Sequence, residues 1–223
     1  MSRFEKVFIF NDRWKLYLEG LGNSLLVALF GFMISLSLGI LIAMILCYCN
    51  KTKKLKWLAK LLMFIINIIR AVPLLLQLLL GYFAILFFID SALIIAIIVF
   101  GINSSAYMAE IIRGGFNSID NTQYESALSI GLTPMQAIGK ILLPQALKNS
   151  LLSIGNELIT VLKMTSLVGY ISIIDLTQAA NIISTNTFDY FLPLAIVAVI
   201  YIILVTIITF AIKKIEHFLK KSE

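Results

Sequence analysis

The sequence predicts an all-α integral membrane protein with five transmembrane helices, the N-terminus outside and the C-terminus cytoplasmic. Three observations carry that expectation. The 223 residues are 60% hydrophobic and 13% charged, with a mean hydropathy of +0.98, whereas soluble domains are roughly a quarter charged. Five apolar runs approach the roughly 20 residues needed to cross ~30 Å of hydrocarbon. Lysine and arginine gather in alternate links between those runs, the bias that orients spans. The net charge of +6 is therefore read as orientation in the bilayer, and no nucleic-acid partner is expected.

Taken in order, the opening MSRFEKVFIFNDRWKLYLEG mixes both charge signs and offers no small-residue cleavage site, unlike a signal peptide. Residues 20–50 carry no charge and hold the first span, 21–46. Cys47 and Cys49 lie two apart on that helix and point in different directions. With no ligand company they read as ordinary apolar residues, and neither a disulfide nor a metal is expected. Residues 57–89 would reach roughly 50 Å as one helix. Pro73 breaks this stretch into an amphipathic elbow over 57–70 and a second span over 71–89. Asp90 separates it from the third span, 91–112. The fourth, 149–170, is interrupted by Glu157 and Lys163, and the fifth is 190–212. The intervening ISIIDLTQAANIISTNTFDYFLP is too polar to cross and suggests a short surface helix. The expected organisation is a single transmembrane domain over 1–223.

Charge decides the sidedness. Five lysines follow span one, Arg113, Lys140 and Lys148 lie between spans three and four, and Lys213, Lys214, Lys220 and Lys221 follow span five. The other two links carry none. Arg3, Lys6, Arg13 and Lys15 oppose the assignment, but Glu5, Asp12 and Glu19 accompany them.

The link between spans three and four holds a polar insert, 122–144, with a legible local code. Thr122 and Glu125 fit a capping box at a helix start, and Gly131 fits a left-handed helix end. Thr133, Pro134 and Gln136 repeat the start signal, and Pro144 is expected to stop the second helix near Leu143. The expectation is two short helices joined by a glycine turn outside the bilayer, a knob suited to a partner's groove.

The spacing of Glu125, Ser126, Ala127, Gly131, Ile141, Leu143 and Pro144 resembles the EAA loop of bacterial ABC import permeases. RAVPLLLQLLLGYF (70–83), NSSAYMAEIIRGGFNSI (103–119) and LPQALKNSLLSIGNELITVLKMTSL (143–167) resemble the polar amino acid branch of that family, so the likeness covers most of the chain. It implies a type I importer permease fold in the bacterial plasma membrane. It also implies an amino acid substrate delivered by an extracytoplasmic binding protein, and a second permease subunit, identical or different. An ABC ATPase dimer would receive the seven residues above and hold the ATP and Mg, with no cofactor in this chain. Family members usually have Gly at the place of Thr122 and Ala at that of Ser126; both changes leave the helix plausible. Many have an acidic residue where Met164 stands, which weakens any assignment to a basic amino acid.

Polar groups inside a bilayer are costly and need a partner or a role. Arg70, near the interface, can snorkel. Gln77 follows Pro73 by one turn and either lines a cavity or bonds a neighbouring helix. Asn103, Ser104 and Ser105 serve helix packing or a substrate path. Glu110 and Arg113 sit at ion-pair spacing. Glu157 is expected to face water or to meet a lysine or arginine. Lys163, Met164, Thr165 and Ser166 form the leading substrate candidate: the lysine suits an α-carboxylate, and Met164 offers adaptable contact to an apolar or sulfur side chain.

Two other classes make different demands on the sequence. An ion-coupled secondary transporter predicts repeats with paired broken helices, and no repeat is evident. A channel or structural membrane subunit predicts, for the channel, a filter or charged ring, and none is evident. The chain lacks a G-x-x-x-x-G-K-[ST] phosphate loop, so it is not expected to be the ATPase or an enzyme.

Overall fold

A computed structural model describes residues 2–220; Met1 and 221–223, including Lys221, lie outside the described residues. Those described are helical or in turns, with no strand among them. In hydrocarbon only a helix or a closed barrel satisfies its own N–H and C=O groups, and this sequence takes the first solution.

The helices are α1 (Trp14–Thr52), α2 (Lys56–Ala71), α3 (Leu74–Leu80), α4 (Ala92–Asn117), α5 (Asn121–Ser129), α6 (Pro134–Ala137), α7 (Leu143–Met164), α8 (Leu176–Thr187) and α9 (Phe191–Lys220). π-turns follow α3 (Gly81–Ile85) and α6 (Ile138–Leu142), and a 3-10 stretch follows α7 (Thr165–Ile171). Four helical runs are long and apolar enough to cross a membrane: Trp14–Thr52, Ala92–Asn117, Pro134–Ile171 and Phe191–Leu219. The pair α2–α3, broken at Val72 and Pro73, supplies a fifth when the two are counted together.

The chain divides into two compact units. In the first, Met1–Phe32, Leu74–Phe100 and Leu158–Thr209, α8 is the short helix expected, with Asn181, Thr185 and Asn186 exposed on one face and the other face buried more deeply than the sequence suggests. Leu176, Ala179, Ala180 and Ile183 are fully buried in a cluster with Val7, Tyr17 and Val197. Small residues on one face of α8 let that face sink into its neighbours, and Asp175 at its start is used locally. Asp175 caps α8 by accepting from the N–H groups of Thr177 (2.7 Å) and Gln178 (3.2 Å). Burial pushes the Asp175 carboxyl above its usual range, and these bonds oppose the shift. Asn23 donates to the Ile174 carbonyl (2.8 Å) and the Leu176 N–H to Ser24 (3.3 Å). Gly20 makes this approach possible, because a Cβ there would lie 2.6 Å from the Asp175 carbonyl oxygen.

In the second unit, Met33–Pro73, Gly101–Glu157 and Phe210–Glu223, α2 packs Ile66, Leu62, Met63 and Ile69 against Leu46, Ala106 and Ala109. A Cβ on Gly39 would lie 2.6 Å from the Met108 side chain, so α1 and α4 meet at contact distance over a glycine, a packing mode suited to lipid.

Two local expectations are corrected here. Helix α5 begins earlier than the Thr122–Glu125 box implied: its cap is Asp120, whose carboxylate accepts from the Thr122 N–H at 2.8 Å. Asp outranks Thr as a cap, and the earlier start leaves Glu125 exposed and free of capping. Pro144 does not stop the second helix. The Leu143 N–H reaches back five residues to the Ile138 carbonyl, and this widened turn absorbs the shift that a proline otherwise forces. Helical structure therefore runs unbroken from Pro134 to Ile171.

The Asp120 cap yields a test. Hydrogen bonds from Thr122 hold its carboxyl below the ordinary value of 3.8. A depressed carboxyl stabilises the fold fully above the unfolded pKa, and that contribution is lost as pH falls through the folded value. Asp120→Ala should speed amide exchange in the first turn of α5 several-fold at neutral pH, whereas Glu125→Ala should leave it unchanged. Exchange measured by mass spectrometry from pH 7 down to about 2 checks both, the difference shrinking as Asp120 protonates.

Candidate coupling hairpin and intramembrane polar groups

The polar insert is a helical hairpin whose turn is fixed by backbone chemistry. Gly131 adopts φ +88°, a conformation that side chains disfavour. The Leu132 N–H donates to the Ala127 carbonyl (3.2 Å) and the Gly131 N–H to that of Leu128 (2.9 Å), the paired bonds of a Schellman end. Thr133 opens α6 with a full capping box to Gln136, and Pro134 takes the first turn. The hairpin's caps are supplied by its own residues: Asp120, Gly131, Thr133 and Gln136.

Its surface sorts the candidate residues. Glu125, Ser126 and Gly131 are exposed, Ala127 and Tyr124 are buried, Ile141 and Leu143 are half-buried, and Pro144 is exposed. The structure thus brings Glu125, Ser126 and Gly131 to the hairpin surface, while Ala127 packs inward. Sequence reasoning missed the apolar tip: Leu128, Ile130 and Met135 flank Gly131, and Ile130 is 77% exposed. The available signal was three large apolar residues on a helix pair with too little hydrophobic content to bury them all. Also missed was the brace beneath. Lys51, at the end of α1, donates to the Asn121 side chain and lies 5.3 Å over the Tyr124 ring, a cation–π contact.

Among the intramembrane groups, Asn103, Ser104 and Ser105 are buried in α4. Ser105 donates to its own helix at the Ile102 carbonyl (2.7 Å). Ser104 donates to Glu157 at 2.6 Å, joining α4 to α7. Glu157, half-buried, meets a hydroxyl and no cation among the described residues, and this bond satisfies one carboxyl oxygen at short range. Arg113 and Glu110 form the expected pair, with contacts of 2.6 and 3.2 Å. The Arg70 guanidinium lies 5.2 Å over the Tyr107 ring, a specific partner in addition to its exposure at the end of α2.

Gln77 is half-buried on α3. Lys163 and Met164 are exposed at the end of α7, and Thr165 is fully buried, donating to the Leu162 carbonyl at 2.7 Å. Ser166 donates to the Lys163 carbonyl (3.1 Å) and borders a surface cleft of about 470 Å³ with Tyr170, Thr177, Gln178 and Asn181. These are hydroxyl and amide groups, able to bind polar and zwitterionic molecules without fixing a charge. Among the described residues, no three His, Cys, Asp or Glu side chains converge on a metal position.

Comparison with known proteins accords with this architecture. Residues 37–221 match the family described as the binding-protein-dependent transport system inner membrane component. The permease protein GlnP of Rickettsia felis, named for a glutamine transport system, is 36% identical over 96% of this chain and 97% of its own. The arginine transport system permease protein ArtQ of Bacillus subtilis is 36% identical over 92% and 93%. Among solved structures, an amino acid ABC transporter crystallised with histidines superposes at a TM-score of 0.82, with 33% identity over 97% of this chain and 99% of that one. A methionine ABC transporter, MetNI, in an inward-facing form matches at 0.82 over 97% and 98%; at 21% identity it speaks to the fold alone. An all-helical chain with several apolar spans, matched nearly end to end by such permeases, belongs to the family of binding-protein-dependent inner membrane components as a multi-pass amino-acid ABC importer permease.

Proposed function

We propose that the chain is the transmembrane subunit of an ATP-driven importer that takes an amino acid from an extracytoplasmic binding protein. In this reading the N-terminus is outside, the C-terminus is cytoplasmic, and a second permease chain completes the pathway. A separate ATPase dimer holds ATP and Mg and grips the hairpin, and this chain itself performs no catalysis. The observation that carries the reading is the hairpin's surface: a self-capped knob with an apolar tip (Leu128, Ile130, Met135) and an acidic flank at the exposed Glu125. A groove in a soluble partner would bury the tip and meet the carboxylate with a cation. Ala127, Ile141 and Leu143 support the knob from beneath, and the π-turn passes its movement into α7 at Pro144.

For the substrate we assign Lys163, Met164 and Ser166 to contact, with Thr165 holding the turn. Gln77, Asn103, Ser104, Ser105 and Glu157 are assigned to the polar lining of the pathway. The relatives are named for glutamine and arginine; with methionine at 164 this chain lacks the carboxylate that would favour a cationic side chain. Met164→Asp should shift uptake in reconstituted vesicles toward basic amino acids by about tenfold, the equivalent of one favourable charge contact of ~1.4 kcal/mol. Unchanged preference would remove Met164 from the substrate's surroundings.

The coupling assignment predicts that Glu125→Lys and Ile130→Asp each reduce co-purification of the ATPase at least tenfold, a cost of ~1.4 kcal/mol or more that is ordinary for an interface anchor. Circular dichroism should stay unchanged, since Glu125 caps no helix and Ile130 closes α5 through its backbone N–H, not its side chain. Retained ATPase binding by both variants would refute the docking surface.

A further inference from the structure

Helix α2 carries two apolar faces, and only one of them is covered. Leu62, Met63, Ile66 and Ile69 pack inward. Trp57, Leu61, Phe64, Ile65 and Ile68 are exposed, Trp57 by 65%. At 3.6 residues per turn these five fall within an arc of roughly 100°. Lys56, Lys60 and Asn67, all exposed, occupy the arc beside it. Lys53 and Lys54 precede them in a turn in which Lys53 and Leu55 both have positive φ.

The charge of this region is one-signed. No acidic residue occurs between Glu19 and Asp90. Among the described residues, the ammonium groups of Lys53, Lys54, Lys56 and Lys60 make no hydrogen bond or ion pair. Lys51, by contrast, is engaged by Asn121 and Tyr124. At 16 residues α2 is shorter than a crossing requires. An apolar stripe edged by free lysines on such a helix is the form of an element that lies in the plane of the interface.

We propose that α2 is an anionic-lipid recognition surface: its stripe enters the acyl boundary of a leaflet, and the four free lysines gather negatively charged phospholipid headgroups. Charge complementarity selects this occupant. A zwitterionic surface would satisfy the stripe but offer the lysines no net attraction, and a second protein chain would have to bring its own carboxylates to meet all four. The assignment requires only that α2 meets a leaflet, and stands whichever leaflet that is. It is also independent of ATPase docking, since no residue of the hairpin takes part.

The chain has two tryptophans, Trp14 and Trp57, so the full-length Trp14→Phe protein places a single reporter on the stripe. It would be reconstituted in nanodiscs of mixed phosphatidylcholine and phosphatidylglycerol, with bromine on the acyl chains of one lipid class at a time. Brominated phosphatidylglycerol should quench Trp57 about threefold or more as effectively as brominated phosphatidylcholine, within the attraction expected for several lysines at an anionic surface. The ratio should fall toward one in about 0.5 M salt and in the Lys56→Gln/Lys60→Gln variant. Equal quenching by the two lipids at low salt would show a stripe in the bilayer without headgroup selection, and absence of quenching by both would show a stripe covered by protein; either overturns the proposal. The salt series uses unaltered lysines, so the test survives a variant that does not fold.

Discussion

Inside a bilayer a backbone N–H or C=O has no water to turn to, and this constraint shapes almost every element of the protein. Pro144, just before the expected fourth span, shows how a long helix keeps its backbone bonded. A proline at that position lacks one donor and crowds the preceding turn, and the helix could have ended there. Here the turn Ile138–Leu142 widens, the Leu143 N–H finds the Ile138 carbonyl, and the helix continues. The consequence is mechanical: the polar hairpin is not a loop hung between two spans but the first turns of one of them. Gly131 supplies the opposite device, an abrupt and fully bonded stop.

The polar groups within the helices follow the same economy. Ser104 meets Glu157, Arg113 meets Glu110, and Ser105 folds back on its own helix. Each bond joins groups that would be costly alone in hydrocarbon. Lys163 and Met164 differ, being exposed at the point where α7 tightens into a 3-10 stretch. That difference is the reason to assign them to substrate and the Ser104–Glu157 pair to the lining that supports the pathway.

Much of this was legible in the sequence. The charge-free runs gave the apolar helices, Pro73 gave the break between α2 and α3, and Gly131 with Thr133, Pro134 and Gln136 gave the hairpin turn and second cap. Features that depend on close neighbours were not legible. Asp120 outcompeted Thr122 because only geometry decides which of two adjacent capping residues accepts the bond. The burial of α8 depends on small residues, Ala179 and Ala180, fitting between other helices, and the sequence shows only that the segment is polar on average. Pro144 misled because a π-turn leaves no local composition signal. The partner of Glu157 is 53 residues away along the chain, beyond the reach of spacing rules.

The central claim is that α6, the π-turn and α7 act as one rigid lever between an ATPase and the membrane. Spin labels at the exposed positions 135 and 152 span 17 residues of that run, about 25 Å at 1.5 Å per residue. Electron–electron resonance distances would be measured in the complete importer without nucleotide and with ATP trapped. A rigid lever predicts one narrow distance that does not change between the two states. A shift of about one helical turn, ~5 Å, or a second population on adding ATP, would show that the run bends at the π-turn and would contradict the account.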